Sequence, residues 1–96
     1  MTNKATLAFD PADYLTDTQS QAELLSDAFD TGDATYIANA LGVVARARGM
    51  TSIANDAGVT REALYKALSE SGDPRLSTLL GVVKALGLKL SAKPAA

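Results

Sequence analysis

Apolar side chains recur every three or four residues along most of this chain, which is the pattern of amphipathic α-helices. A first helix is predicted to begin at Thr18 as N-cap, with Gln21 completing a capping box, and to end near Gly32. A second begins after Asp33, whose carboxylate can accept backbone N–H groups of the first turn, and ends at Gly49. The two buried faces consist of Ala22, Leu25, Ala28 and Phe29, and of Ile37, Ala40, Leu41 and Val44.

Two short helices and a longer one are predicted to follow. Thr51 is the expected N-cap of the first short helix and Thr60 that of the second, with a turn at Gly58 between them. The second ends at Ser71-Gly72, and the final helix runs from Asp73-Pro74 to Gly87 because proline suits the first helical position. Its apolar stripe is Leu76, Leu79, Leu80, Val83 and Leu86.

These elements together predict an all-α fold, a compact bundle of about five helices in one domain. Residues 1–17 form an N-terminal arm, residues 18–90 the helical domain and residues 91–96 a flexible tail. Residues 88–91 alternate apolar and polar side chains and are therefore a candidate for a short C-terminal strand.

Residues 51–69 have the spacing of a helix-turn-helix motif, in which two short helices cross through a tight turn. Ala54 is small enough for the close crossing, and Gly58 tolerates the positive φ that the turn needs. In such motifs the second helix lies in the major groove and its first residues reach the base edges. The spacing therefore predicts DNA binding, although a helical hairpin of another kind can imitate it.

The candidate DNA-binding residues occupy the helix starts and the outer side of the second helix. Arg61 can form a bidentate contact with guanine, and Lys66 can reach a base or a phosphate. Threonines at helix N-termini lie where backbone N–H groups favour a phosphate. Each also has a purely structural interpretation, since the threonines are caps, Tyr65 can serve in packing, and Lys66 is spaced to pair with Glu62 in solvent. The full set is Thr51, Thr60, Arg61, Tyr65, Lys66 and Ser69, of which Arg61, Tyr65 and Ser69 are spaced as one exposed stripe.

The composition argues against catalysis. The 96 residues include no cysteine and no histidine, so the commonest nucleophile, general base and metal ligands are lacking. We predict no enzyme activity, no catalytic residue, no cofactor and no metal site. The cysteine count and the lack of a signal-like or membrane-spanning apolar segment favour a cytoplasmic protein with no membrane association.

The charges are divided unevenly along the chain. Residues 1–33 carry seven Asp or Glu and one lysine, whereas residues 34–96 carry eight Lys or Arg and four Asp or Glu. Such asymmetry indicates two different partners, unless both surfaces are simply solvated.

Seven segments spread over residues 9–90 match the pattern of a known family. They are Phe9–Leu15, Gly32-Asp33, Ala40-Leu41, Ala45–Met50, Arg61–Ser69, Gly72–Pro74 and Lys84–Leu90. The chain thereby resembles the HigA-like addiction-module antidote proteins, antitoxins of the Cro/C1-type (XRE) helix-turn-helix superfamily with a lambda-repressor-like fold. Asp73 departs from the pattern, which has asparagine there, but both residues cap helices.

The resemblance implies a type II antitoxin that neutralises a small basic toxin of the RelE/ParE type. It also implies a homodimer on double-stranded operator DNA that represses its own operon. The expected dimer surfaces are Val82 or exposed parts of the final helix, and the 88–91 strand. Two alternatives remain open: a phage-type repressor without a toxin, and a helical protein-interaction module.

Overall fold

Five α-helices follow one another in the computed structural model, which describes residues 17–95 of the chain. They are α1 (Thr18–Thr31), α2 (Ala34–Arg48), α3 (Met50–Ala57), α4 (Arg61–Ala67) and α5 (Leu76–Ala85). This part of the chain contains no strand, and the predicted all-α fold is confirmed. The predicted strand at 88–91 is wrong, because this segment lies beside α1 with no other strand next to it among residues 17–95, and the Leu88 N–H bonds back to the Val83 carbonyl of α5. The predicted N-terminal arm lies outside the described residues except for Asp17.

The first two helices are capped by aspartates. Asp33 caps α2 as predicted, and its carboxylate accepts the backbone N–H groups of Thr35 and Tyr36. The cap of α1 is Asp17 instead of Thr18, with Oδ1 2.7 Å from the Ser20 backbone nitrogen. That hydrogen bond lowers the pKa of Asp17. A carboxylate also suits the positive end of the helix dipole better than a hydroxyl does, which explains the one-residue difference.

Helices α2 and α3 share a single junction residue, Gly49. Its backbone N–H bonds to the carbonyl of Ala45 at the end of α2, and its carbonyl accepts the N–H of Ile53 in α3. The prediction of Thr51 as the N-cap of α3 is therefore wrong, because α3 begins at Met50 and Thr51 lies within its first turn. The position of this helix start is decided by the junction and not by a side-chain cap.

The core is built from all five helices. Its largest fully buried side chains are Leu41, Leu64, Leu86, Val44 and Val82. Apolar burial of this kind stabilises by about 1.5–3 kcal/mol per large side chain. The core holds α4 against the bundle through Leu64 and Leu68, so the outer side of α4 faces solvent.

The predicted apolar stripe of the final helix, α5, is confirmed at Val83 and Leu86, which are buried, and at Leu79, which packs against the core. Helix α5 begins at Leu76 after Arg75, two residues later than the predicted first helical residue, Pro74. A Cβ at Gly81 would lie 3.2 Å from the Cα of Ala57, so α5 approaches the α3 backbone closely on this side. The contact turns Val82 into the core, which makes the prediction of Val82 as a dimer-surface residue wrong. The predicted core residues Leu76 and Leu80 are 68% and 47% exposed.

The turn between α3 and α4 is consistent with the predicted helix-turn-helix. Gly58 ends α3 with φ +78°, and the Val59 N–H bonds to the carbonyl of Ala54 at 3.0 Å. Thr60 is the N-cap of α4 as predicted, its Oγ1 accepting the Ala63 N–H at 3.0 Å. Within residues 17–95, no helix is long and apolar enough to cross a membrane.

Replacing Gly58 with valine is expected to lower the free energy of unfolding by about 1–3 kcal/mol, because a β-branched residue is strained at positive φ. Apart from Gly58 itself and its chain neighbours, no atom lies within 4 Å of a Cβ built at Gly58. The loss of stability therefore comes from backbone strain and not from a steric clash. Gly58→Asn is the matched control and should cost less, because asparagine tolerates the left-handed region. Thermal unfolding followed by circular dichroism measures both, and equal melting temperatures for Gly58→Val and the wild type would contradict the assigned turn.

Candidate nucleic-acid interface

The exposed side of α4 presents three of the six predicted DNA-binding residues. Arg61, Tyr65 and Lys66 all lie on this seven-residue helix and are exposed to solvent. Leu64, on the opposite side, is 0% exposed and fixes the helix to the core. The orientation of the outer residues is therefore set by a packed helix and not by a loop.

Arg61 is held between two helices. Its Nη1 donates to Oγ1 of Thr51 on α3 at 3.3 Å. Its Nη2 lies 3.5 Å from the hydroxyl oxygen of Tyr65, and its Cζ lies 5.5 Å from the centroid of the Tyr65 ring. The guanidinium thus spans the turn, which orients its remaining N–H donors before any ligand arrives.

The charge of Arg61 is reinforced by its neighbours. The hydrogen bond to the Tyr65 hydroxyl, together with the electrostatic effects of Tyr65 and Glu62, raises the pKa of Arg61 above its ordinary value. Arginine side chains are cationic throughout the physiological pH range, and Arg61 carries this charge at the exposed surface. A cation with free, oriented donors is suited to a phosphate or to the O6 and N7 edge of guanine.

The two threonines have different roles. The Thr51 hydroxyl accepts the Arg61 hydrogen bond instead of capping α3, whereas the Thr60 hydroxyl caps α4. Both side chains are exposed. The structure thus connects Thr51, Arg61 and Tyr65 by hydrogen bonds into one group, which we call the Arg61 group. Thr60 directly precedes Arg61 in the chain.

Ser69 lies apart from the predicted stripe. Helix α4 ends at Ala67, and the Ser69 hydroxyl donates to the carbonyl of Lys66 at 2.9 Å in the turn that follows. The helical spacing that linked Ser69 to Arg61 and Tyr65 stops before Ser69, so this part of the stripe prediction is wrong. Only Arg61 and Tyr65 remain on the stripe.

The two hydrogen-bond partners of Arg61 were not predicted from the sequence. The partner Tyr65 could have been found, because residues four apart on a helix are neighbours. Thr51 gave no local signal, since it is ten residues away and meets Arg61 only through the crossing of α3 and α4. Elsewhere in residues 17–95, no group of three His, Cys, Asp or Glu side chains is arranged to hold a metal ion.

Comparison with known proteins decides the family. The sequence model of a family described as probable addiction module antidote protein matches residues 5–94. The chain belongs to this antidote family. A relative from Haemophilus influenzae, described as an uncharacterized protein, is 44% identical over 81 residues, covering 84% of each chain. No solved structure matches the chain.

Membership of the antidote family gives the molecule a general role. An addiction module pairs an antidote with a toxin, so the family implies a toxin partner for this chain. The match extends over all five helices, including the turn and the Arg61 group.

Proposed function

We propose that this antidote protein binds operator DNA through α4, represses its own operon, and neutralises a small basic toxin of the RelE/ParE type by direct binding. The observation that carries the DNA-binding part is the Arg61 guanidinium, oriented by Thr51 and Tyr65 at the exposed start of α4. This arrangement supports membership of the HigA-like, XRE-type helix-turn-helix group. The role is one of binding and not of catalysis.

In the proposed complex α4 enters the major groove. Arg61 contacts a guanine through its remaining N–H donors, and Lys66, one turn further along, contacts a base or a phosphate. Tyr65 supports Arg61 and has its ring edge at the groove, being 42% exposed. Thr51 and Thr60 lie beside the DNA backbone, and Ser69 lies at the rim of the contact.

We further propose that the protein acts as a homodimer. Helix α4 has seven residues and can read only a few base pairs, which is too little to select one operator in a genome. Two copies related by a two-fold axis present two such helices about 34 Å apart, one turn of DNA. The exposed Leu76 and Leu80 of α5 are the apolar residues available for this contact.

The toxin is proposed to bind the acidic part of the chain. The described residues 17–33 contain five Asp or Glu and no Lys or Arg. A basic protein is attracted to such a surface, whereas DNA is repelled by it. The two partners of opposite charge are thereby directed to different parts of the molecule, and we propose that it meets both in the cytoplasm.

DNA binding is tested with a labelled fragment from immediately upstream of the gene, titrated at several salt concentrations between about 50 and 200 mM. Lys66→Ala is expected to weaken binding to this fragment and to a scrambled one about equally, and to lower the salt slope by about one. Lys89→Ala, on the C-terminal segment, is the matched control and should bind as the wild type does. No binding by the wild type at low salt would contradict the DNA-binding proposal and favour a protein-interaction module.

The toxin half is tested separately by co-expression with the product of the adjacent gene. Co-purification of a small basic protein is expected. If the antidote protein is purified without that gene product and still binds the operator, the phage-type repressor alternative is favoured.

A further inference from the structure

A groove of about 470 Å³ lies between α1 and the C-terminal segment. Its apolar lining includes Leu25, Phe29, Val83, Leu88 and Leu90. Leu90 is 42% exposed and Phe29 is only half-buried, so large apolar side chains remain accessible in the groove. None of its lining residues belongs to α3 or α4, so this groove and the candidate DNA interface share no residue.

Arg48 connects α1 to the end of α5, the two elements that flank the groove. Its Nη1 donates to Oε1 of Gln21 on α1 at 3.0 Å, and to the carbonyl of Leu86 at the end of α5 at 3.1 Å. Gln21 is buried whereas Arg48 is exposed, so this connection lies at the surface of the molecule and reaches inward at Gln21. The C-terminal segment is further attached by the Leu88 N–H, which bonds to the carbonyl of Val83. The groove is therefore a preformed feature of the bundle.

An acidic stripe borders the groove on the α1 side. Each helical residue advances by about 100°, so Asp30 and Glu23 lie about 40° and 60° from Ser26 around α1, beside the groove, whereas Asp27 lies about 100° from Ser26, further towards solvent. All three carboxylates are exposed. The opposite wall carries Lys89 and Lys93, so the two walls have opposite charge.

We infer that this groove is the docking site of the toxin, and that it receives an amphipathic segment whose apolar side chains enter between Phe29 and Leu90 and whose basic edge lies along Glu23 and Asp30. The inference rests on the proposed toxin partner and specifies the surface that binds it. The side of the segment that faces Lys89 and Lys93 is neutral or acidic.

Charge complementarity favours the toxin over two other occupants. Residues 1–16 of the chain carry one lysine and two aspartates, so they do not neutralise the stripe. A second copy of the chain presents the same acidic stripe, and the carboxylates of the two stripes would repel each other. A basic partner satisfies both the apolar groove and the acidic edge, and long-range attraction speeds its association.

The experiment measures association and dissociation rates between the full-length chain and the adjacent gene's product, with three variants. Leu90→Asp is expected to weaken affinity by at least about tenfold, mainly through faster dissociation, because it places a charge in the apolar part of the contact. The double variant Glu23→Lys with Asp30→Lys is expected to slow association by about tenfold at low salt, with the difference shrinking as salt rises. Asp56→Lys changes an exposed aspartate on α3, outside the groove, and should leave the association rate within about twofold of the wild type.

Circular dichroism and operator binding of each variant establish that the fold and the DNA interface are intact. Leu90→Met should retain wild-type affinity, since methionine conserves the apolar volume. If the wild type binds the toxin and all groove variants bind it equally well, this inference is overturned while the proposed function stands. If the wild type does not bind the adjacent product, both fail. A loss of self-association or of thermal stability in Leu90→Asp, with unchanged toxin affinity, would assign the groove to a second copy or to the chain's own residues and also overturn the inference.

Discussion

Leu64→Ala is expected to lower the free energy of unfolding by about 2–5 kcal/mol, the range for removing a buried leucine side chain from a packed core. Leu64 is 0% exposed and is the side chain that fixes α4 to the bundle. Small domains have a total stability of only about 5–15 kcal/mol, so a loss of this size leaves a measurable unfolded fraction near physiological temperature. Urea denaturation followed by circular dichroism measures the change.

Leu76→Ala is the matched control, because it makes the same truncation at a leucine that is 68% exposed. Its cost in the isolated chain should be within about 0.5 kcal/mol. A cost at Leu76 that grows with protein concentration would instead report its burial in the proposed dimer. Equal denaturation midpoints for Leu64→Ala and the wild type would contradict the packing of α4 described above.

Arg61→Ala is expected to weaken specific operator binding by about 5- to 150-fold, equivalent to about 1–3 kcal/mol for one bidentate base contact. Preference at one base pair should be relaxed at the same time. Arg61→Lys distinguishes the guanidinium from its charge, since lysine retains the cation and loses the planar pair of donors. We therefore expect Arg61→Lys to lose preference at that base pair while retaining affinity for scrambled DNA.

Tyr65→Phe tests the support of Arg61 alone, because it removes the hydroxyl that lies 3.5 Å from Nη2 and leaves the ring in place. Its effect should be smaller than that of Arg61→Ala. Competition titrations at fixed salt, with every base pair of the operator substituted in turn, measure all three variants. Unchanged affinity and unchanged base preference in Arg61→Ala would show that α4 is not the element that reads the operator.

Features set by local chemistry could be predicted from the sequence. Asp33 and Thr60 are caps because their side-chain oxygens accept N–H groups two or three residues ahead. The turn at Gly58 follows from the same kind of local rule, because its positive φ excludes most other residues. The number of helices and the all-α class also follow from the apolar period.

Features set by tertiary contacts could not be predicted. The start of α3 depends on Gly49 serving two helices, and the burial of Val82 in place of Leu76 and Leu80 depends on how α5 packs against α3. A cap-competent residue such as Thr51 gives the same local signal whether or not it is at the helix start. The contacts of Arg61 show the same difference. Its contact with Tyr65 is local, because the two residues are four apart on α4, whereas its contact with Thr51 depends on how α3 and α4 pack.

The single-residue junction at Gly49 limits how the length of this chain can change in evolution or by engineering. Because the same residue closes α2 and opens α3, one inserted amino acid would turn α3 by about 100° relative to α2 and carry α4 with it. The connection between α4 and α5, residues 68–75, contains eight residues outside the helices, of which Leu68 is buried and Gly72 packs against the Ala67 backbone, so the room for such changes lies at exposed positions such as Asp73. We therefore expect insertions and reporter loops to be tolerated at Asp73 and not at Gly49, so that the orientation of α3 and α4 on the bundle is kept while the loop behind them varies.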